Sequence, residues 1–155
     1  GELHAGTVAD PVPIDIDFLG EWEFIEKEQP FPEHVLAVHG RVVTIVGFML
    51  PDIEFEDIRD FHLVRSLWGC CFGAPPRVNE IVRVTVRDKE GIDYTYEAIE
   101  VTGYLDVVYE TEDGIIEDLY RLDAISVVDV EYADPQAPAD FDPATDLQGF
   151  VPTGG

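Results

Sequence analysis

Hydrophobic and polar positions alternate most regularly near the middle of the chain. Val82, Val84 and Val86 lie on one side of an extended segment, and the polar residues between them lie on the other. This alternation predicts a strand with one buried face over residues 79–87. Four other segments are rich in β-branched and aromatic residues and predict further strands, namely 41–50, 60–67, 94–109 and 115–130.

Glycine and proline mark where these elements begin, bend and end. Gly47 interrupts the first β-rich run and predicts a bulge or a sharp bend, which would let a sheet curl. Proline and an acid at the start of 32–38, with Gly40 behind it, predict one or two helical turns ending in a left-handed glycine. Asp113 and Gly114 predict a tight hairpin turn between the last two strands.

Two segments have weaker patterns. Ile14, Ile16 and Phe18 alternate with aspartates, as in a short edge strand. Residues 68–78 contain glycines and prolines and predict an irregular loop. About five strands with one short helix predict a mainly β fold, either a small curled sheet or a partly closed, OB-like barrel, with a β-sandwich as the alternative.

The length of the chain suits one domain with a core and is too short for two. Residues 1–31 predict an N-terminal extension packed on that domain, and 32–132 predict the β-barrel-like domain itself. Residues 133–155 contain prolines with small and acidic residues and predict an extended or disordered tail. No apolar run reaches the length of a membrane span.

Charge is the most unusual property of the sequence. Thirty-three acidic residues face nine basic ones, for a formal net charge of -24. Such a surface repels phosphate backbones and anionic lipids, so nucleic acid is not an expected partner. Three interpretations of the acidity stay open: solubility in a salty environment, attraction of cations such as calcium, and docking to a basic protein or a membrane-associated assembly. The scatter of the acids along the chain favours the first.

Two adjacent cysteines are the strongest candidates for chemistry. Cys70 and Cys71 could ligate a metal together with His34, His39 or His62. No cofactor is predicted, but zinc and cuprous copper are the ions that such ligands favour. The structural alternative is that one cysteine packs as a small hydrophobic residue and the other lies in the loop. In that case His62 lies on the polar face of a strand, and His34 and His39 lie at the ends of the short helix. A cysteine nucleophile assisted by His62 is a further alternative, although no signature of a cysteine enzyme accompanies it.

Four segments resemble one bacterial family, the "domain of unknown function 3299" group. They are 40–51, with a base, a β-run, glycine, an aromatic residue and proline; 61–64; 69–79, with cysteine, prolines and asparagine; and 101–103. The resemblance covers about 32–122 and implies an exported, extracytoplasmic protein or a lipoprotein. Many family members carry a histidine two positions after the loop cysteine, where this chain has Gly73. That departure weakens a metal role for the loop.

The sequence therefore leaves the function unknown and ranks three hypotheses. The first is a non-enzymatic, extracytoplasmic binding or accessory module, because no catalytic constellation is recognisable. The second is metal binding or metal handling through the loop cysteines. The third is a cysteine-dependent enzyme.

Overall fold

The computed structural model describes residues 4–24, 30–51, 56–73, 76–112, 115–140 and 142, with the backbone alone at 51, 70–72, 109–112 and 115–117. These parts of the chain form six strands: β1 (Val12–Ile14), β2 (Val42–Pro51), β3 (Asp60–Val64), β4 (Ile81–Val86), β5 (Ile99–Glu112) and β6 (Ile115–Asp129). They also form three short α-helices and a 3-10 turn: α1 (Ile16–Gly20), α2 (Glu33–Leu36), α3 (Leu67–Phe72) and the turn Val78–Glu80.

Five of the strands close into a barrel. Hydrogen-bonded neighbours run β2-β3-β4-β6-β5, and β5 pairs back onto β2. The β4–β6 pair is parallel and the other four pairs of the ring are antiparallel. This is the strand arrangement of an OB-type barrel, to which β1 adds a parallel strand beside β2. The predicted mainly β, OB-like barrel is confirmed, and it closes completely instead of splitting into a sandwich.

Gly47 lies where β2 changes partner. Residues 42–47 of β2 pair with β5, and residues 48–51 pair with β3. A Cβ atom at Gly47 would come within 2.7 Å of the carbonyl oxygen of Val64. The register with β5 runs through this position without a shift, so the glycine serves a close approach at the corner of the barrel rather than a bulge.

The predicted irregular loop begins as a helix. Helix α3 occupies its first part, up to Phe72. Ser66 is the N-cap, because its hydroxyl accepts a hydrogen bond from the backbone N–H of Gly69 at 2.9 Å. Of the glycines that indicated a loop, Gly69 is tolerated inside this helix and Gly73 follows its end.

The edge strand predicted at 14–18 is wrong after its first residue, because the strand in this region is β1, which begins earlier, at Val12. It ends at Ile14, and Asp15 then caps α1 by accepting a hydrogen bond from Phe18 N–H at 2.7 Å. Ile16 is buried on this helix rather than on a strand face. The hydrogen bond to the Asp15 side chain stabilises a helix start here, although the apolar and polar residues alternate as in a strand.

Alternation on β4 matches the prediction. Val82, Val84 and Val86 are buried in the barrel interior, while Arg83 and Thr85 face outward. A second, smaller apolar cluster lies outside the barrel wall, where α3 covers β2 and β3. Its buried members are Phe48, Val64, Leu67 and Ala98.

The remaining predictions concern turns and ends. Gly40 follows α2 with φ of 76°, as predicted for a left-handed glycine. Asp113 and Gly114 lie outside the described residues, but the strands on either side pair as far as Glu112 and Ile115. No helix in the described ranges is long and apolar enough to span a membrane. The proposed division into extension, domain and tail stays a prediction.

Candidate functional site

Cys70 and Cys71 lie in the backbone of α3, but their side chains are outside the described part of the structure. What the structure does describe is how the helix is held. Asp134, from the segment after β6, accepts hydrogen bonds from Leu67 N–H at 2.9 Å and Trp68 N–H at 3.1 Å. Its other carboxylate oxygen accepts a hydrogen bond from the Ser66 hydroxyl. A carboxylate at a helix N-terminus is favourably placed, so Asp134 anchors the cysteine-bearing helix to the C-terminal segment.

Two of the candidate histidines, His34 and His39, form hydrogen bonds to the backbone of α1 and β5. His34 donates from Nε2 to the carbonyl of Phe18 at 3.0 Å, and the two rings meet edge to face at 5.1 Å. His39 accepts a hydrogen bond at Nδ1 from the backbone N–H of Val107 at 2.9 Å. Each ring nitrogen named here already has a bond that metal ligation would have to break.

His62 belongs to a polar cluster on the outer face of the barrel. It pairs across β3 and β4 with Arg83, and both contact the carboxylate of Asp118 on β6. The distances are 3.1 Å from His62 Nε2 to Oδ1 and 2.9 Å from Arg83 Nε to Oδ2. Burial by itself would raise the pKa of Asp118, but the hydrogen bonds from His62 and Arg83 outweigh it, and the pKa is lowered.

The three histidines contact three different elements: α1, β5 and β6. Within the described ranges, no three His, Cys, Asp or Glu side chains are grouped closely enough to hold a metal ion. The thiols of Cys70 and Cys71 lie outside that description. A metal site that uses them therefore stays a prediction.

The structure adds a groove that sequence reasoning missed. It lies beside the outer apolar cluster and has a cavity volume of about 590 Å³. One wall is the segment 96–98 before β5, the other is the segment 130–139 after β6, and Phe48 contributes from β2. The lining residues are Phe48, Tyr96, Glu97, Ala98, Val130, Glu131, Tyr132, Ala133, Asp134, Ala137, Pro138 and Ala139.

Hydrogen bonds hold both walls of this groove in place. Val130 N–H donates to the carbonyl of Ala98 at 3.0 Å, which extends the β5–β6 pairing to the base of the groove. Further along, Asp134 binds the N-terminus of α3. Because the far wall is fixed at both points, the groove is formed without a ligand.

Aromatic and acidic side chains mark the rim. Tyr96 and Tyr132 are exposed to 39% and 48%, and Tyr132 packs against Phe48 with ring centroids 6.3 Å apart. Glu97 and Glu131 are exposed beside them. The only sequence signal was a pair of aromatic–acid dipeptides at 96–97 and 131–132, which nothing in the sequence brings together.

Comparison with known proteins identifies the fold and family. The family described as "Protein of unknown function (DUF3299)" matches residues 23–129, well over half of the chain. A DUF3299 family protein from Pseudomonas aeruginosa PAO1, known from a crystal structure, is 22% identical, with a TM-score of 0.55 over 79% of this chain and 98% of that one. At this identity the likeness shows a shared fold. No curated protein matches the sequence. The resemblance inferred from the sequence is confirmed, and the chain belongs to the DUF3299 family.

Proposed function

We propose that this protein is a non-enzymatic binding module, and that its ligand occupies the groove between segments 96–98 and 130–139. The observation that carries the proposal is a formed cavity of about 590 Å³ with exposed tyrosines on its rim. Small-molecule sites typically have volumes of roughly 300–1,000 Å³, mostly apolar linings and a few convergent polar groups. Exposed aromatic side chains are also enriched where proteins bind partners.

The chemistry of the lining suits recognition. Its polar side chains are two phenols and three carboxylates. One of those carboxylates, on Asp134, is already bound to Ser66 and to the start of α3, so it serves the shape of the wall. Glu97 and Glu131 remain as the acidic groups that a ligand would meet.

The setting is part of the same proposal. We place the module outside the cytoplasm because of the family resemblance of segments such as 40–51 and 69–79. An abundance of carboxylates suits such a secreted or surface-exposed domain, since a net charge of -24 keeps copies apart in solution.

A fragment screen by NMR tests the binding role. A chemically mixed set of small molecules would be added to isotope-labelled protein, and backbone amide shifts would be mapped. We expect the shifts caused by binding fragments to converge on 96–98 and 130–139. Fragments whose shifts scatter over the surface, or the absence of any fragment that shifts these segments, would contradict the proposal.

A matched pair of variants locates the binding. Ala139→Trp places a large side chain at an exposed position of the groove lining, whereas Ala37→Trp places the same side chain at an exposed position after α2. We expect the first variant to abolish fragment binding and the second to leave it unchanged. Thermal unfolding of both variants checks that the barrel is intact.

A further inference from the structure

We infer that the groove takes a small organic cation, with an amine or quaternary ammonium head joined to an apolar body. This inference rests on the proposed function, because it names the chemical class of the ligand for the same groove. Three features of the groove support it: the sign of its charge, its aromatic rim and its apolar C-terminal wall.

Charge favours a cation and disfavours an anion. Glu97 and Glu131 lie on the rim, and the lining residues that the structure describes include no basic side chain. Neither glutamate is paired with an arginine, lysine or histidine among the described residues. The rest of the molecule adds to the same sign of potential, with a net charge of -24. An approaching cation is attracted over the whole path, whereas a phosphate or carboxylate ligand is repelled.

The aromatic rim supplies the second attraction. Tyr96, Tyr132 and Phe48 all line the cavity, and the latter two pack together with their ring planes inclined at 46°. The face of an aromatic ring carries negative charge density and attracts ammonium and guanidinium groups. Clusters of such rings recognise quaternary ammonium groups, whose positive charge is spread over methyl groups that water solvates poorly.

The C-terminal wall of the groove suits the apolar body of the ligand. Small aliphatic side chains line most of the C-terminal wall and leave space beside the aromatic rim. They are Val130, Ala133, Ala137, Pro138 and Ala139. A strongly hydrated ion such as calcium gains nothing from such a surface, but methylene and methyl groups do.

The same combination of groups already binds a cation elsewhere on the barrel. The guanidinium of Arg87 lies 5.1 Å from the ring centroid of Tyr104 and pairs with both oxygens of Asp123, at 3.0 and 2.8 Å. On this barrel, one tyrosine ring and one carboxylate thus contact the same side-chain cation at an exposed position. The groove presents to a cation from outside two tyrosines and two glutamates that have no basic partner in the described part of the chain.

Two probes of the same shape test the inference. Choline and 3,3-dimethylbutan-1-ol differ by one atom, a positively charged nitrogen in place of a neutral carbon. Titrations of the labelled protein at low salt would follow the amides of 96–98 and 130–139. We expect choline to bind in the groove about tenfold more tightly than the neutral alcohol, the factor that a partly exposed cation–aromatic contact with nearby carboxylates supplies.

Charge-removing variants identify the groups responsible. The Glu97→Gln, Glu131→Gln double variant keeps the shape of the rim, and we expect it to remove most of the preference for choline. Asp106→Asn is the control, because Asp106 is an exposed carboxylate on β5 outside the groove. Its effect on choline binding should be small, no larger than the effect expected from removing any one surface charge.

The outcomes separate this inference from the proposed function. Equal binding of the two probes in the groove overturns the cation preference and leaves the groove as a binding site. If neither probe shifts the groove amides while neutral fragments from the screen do, only the inferred ligand class is wrong. If neither the probes nor the fragments bind there, both the inference and the proposed function fail.

Discussion

Asp118 shows how a single buried charge shapes the outer face of the barrel. Its side chain is 5% exposed, compared with 22% for His62 and 24% for Arg83, the two residues that contact it. The carboxylate thus lies beneath two partly hydrated cationic or hydrogen-bonding groups. It joins β3, β4 and β6 through these two contacts.

Replacing Asp118 should change the acid sensitivity of the fold. The pKa of Asp118 is lowered in the folded state, so its contribution to stability is present above the ordinary value of 3.8 and is lost as pH falls through the folded pKa. We expect Asp118→Asn to reduce the free energy of unfolding at neutral pH by about 1–3 kcal/mol, the usual cost of losing charged hydrogen bonds at a buried site. Urea titrations between neutral pH and pH 3 measure this.

The variant should also flatten the acid limb of the stability curve. Asp123→Asn is the comparison, because Asp123 forms an exposed pair with Arg87, and such pairs contribute little. An Asp118→Asn protein that loses stability between pH 5 and pH 3 as steeply as the wild type would refute the role given to this carboxylate.

Among the elements, α3 depends on a residue far away in the sequence. Asp134 accepts its first backbone N–H groups, and a side chain at Gly69 would overlap the amide of Gln136. Helix α3 has only six residues, too few to be stable alone. The helix and the C-terminal wall of the groove therefore form together.

Removing this cap should loosen both elements at once. We expect Asp134→Ala to reduce stability by about 1 kcal/mol, as for other helix caps, and to speed amide hydrogen exchange in α3 and in 130–139 together. Asp140→Ala, an exposed acid six residues later, is the control. Faster exchange in only one of the two segments would show that they are not coupled through Asp134.

The cysteines of α3 carry the metal prediction, which has its own test. Zinc or cuprous copper would be titrated into the reduced protein and into a Cys70→Ser, Cys71→Ser double variant. If the thiols form a site, stoichiometric binding should disappear in the variant, and binding to the wild type should strengthen as pH rises and the thiols ionise. Equal, weak binding by both proteins would assign the metal to the acidic surface alone.

Local patterns predicted most strands and the short helix α2, but not α1 and α3. On β4 the alternation of apolar and polar residues predicted the strand, because one face packs in the barrel interior and the other faces outward. In the 68–78 segment the local pattern was misleading, because its glycines and prolines favour a loop. The helix there is stabilised by Asp134, which is distant in sequence and accepts hydrogen bonds from the first backbone N–H groups. At 14–18 the helix cap, Asp15, is local in sequence. Its position before Ile16 is typical of a helix N-cap, but the alternation of apolar and acidic residues favoured a strand.

The groove was out of reach of sequence reasoning for a related reason. Its walls come from three places far apart in the chain, at 48, 96–98 and 130–139. Only the closed barrel brings them together, because β5 pairs with both β2 and β6. An aromatic residue beside an acid is common on protein surfaces, so Tyr96 and Tyr132 carried no functional signal before their proximity was known. The described part of the segment predicted as a tail forms one wall.

At the scale of the whole molecule, self-repulsion should govern stability. With a net charge of -24, added salt shortens the screening length from about 30 Å at 0.01 M to about 3 Å at 1 M and relieves repulsion in the folded state. We expect potassium chloride over this range to stabilise the protein by about 1 kcal/mol, a rise in Tm of about 4 °C.

Measuring the rise in Tm with salt at a lower pH provides the control. Near the sequence pI of about 4.1 the net charge is small, so the rise in Tm with salt should shrink. A Tm that falls steadily with salt at neutral pH would contradict the repulsion argument.

Ligand binding in the groove is the central claim, and the tyrosines of the protein test it directly. The chain contains six, of which Tyr96 and Tyr132 line the groove and Tyr104 is exposed elsewhere, beside Arg87. Fluorine NMR of protein labelled with 3-fluorotyrosine would follow each ring during titration with the fragments of the screen and with choline. We predict that bound molecules shift the Tyr96 and Tyr132 resonances and leave Tyr104 unchanged. Titrations that leave Tyr96 and Tyr132 unmoved, or that shift Tyr104 equally, would contradict the claim.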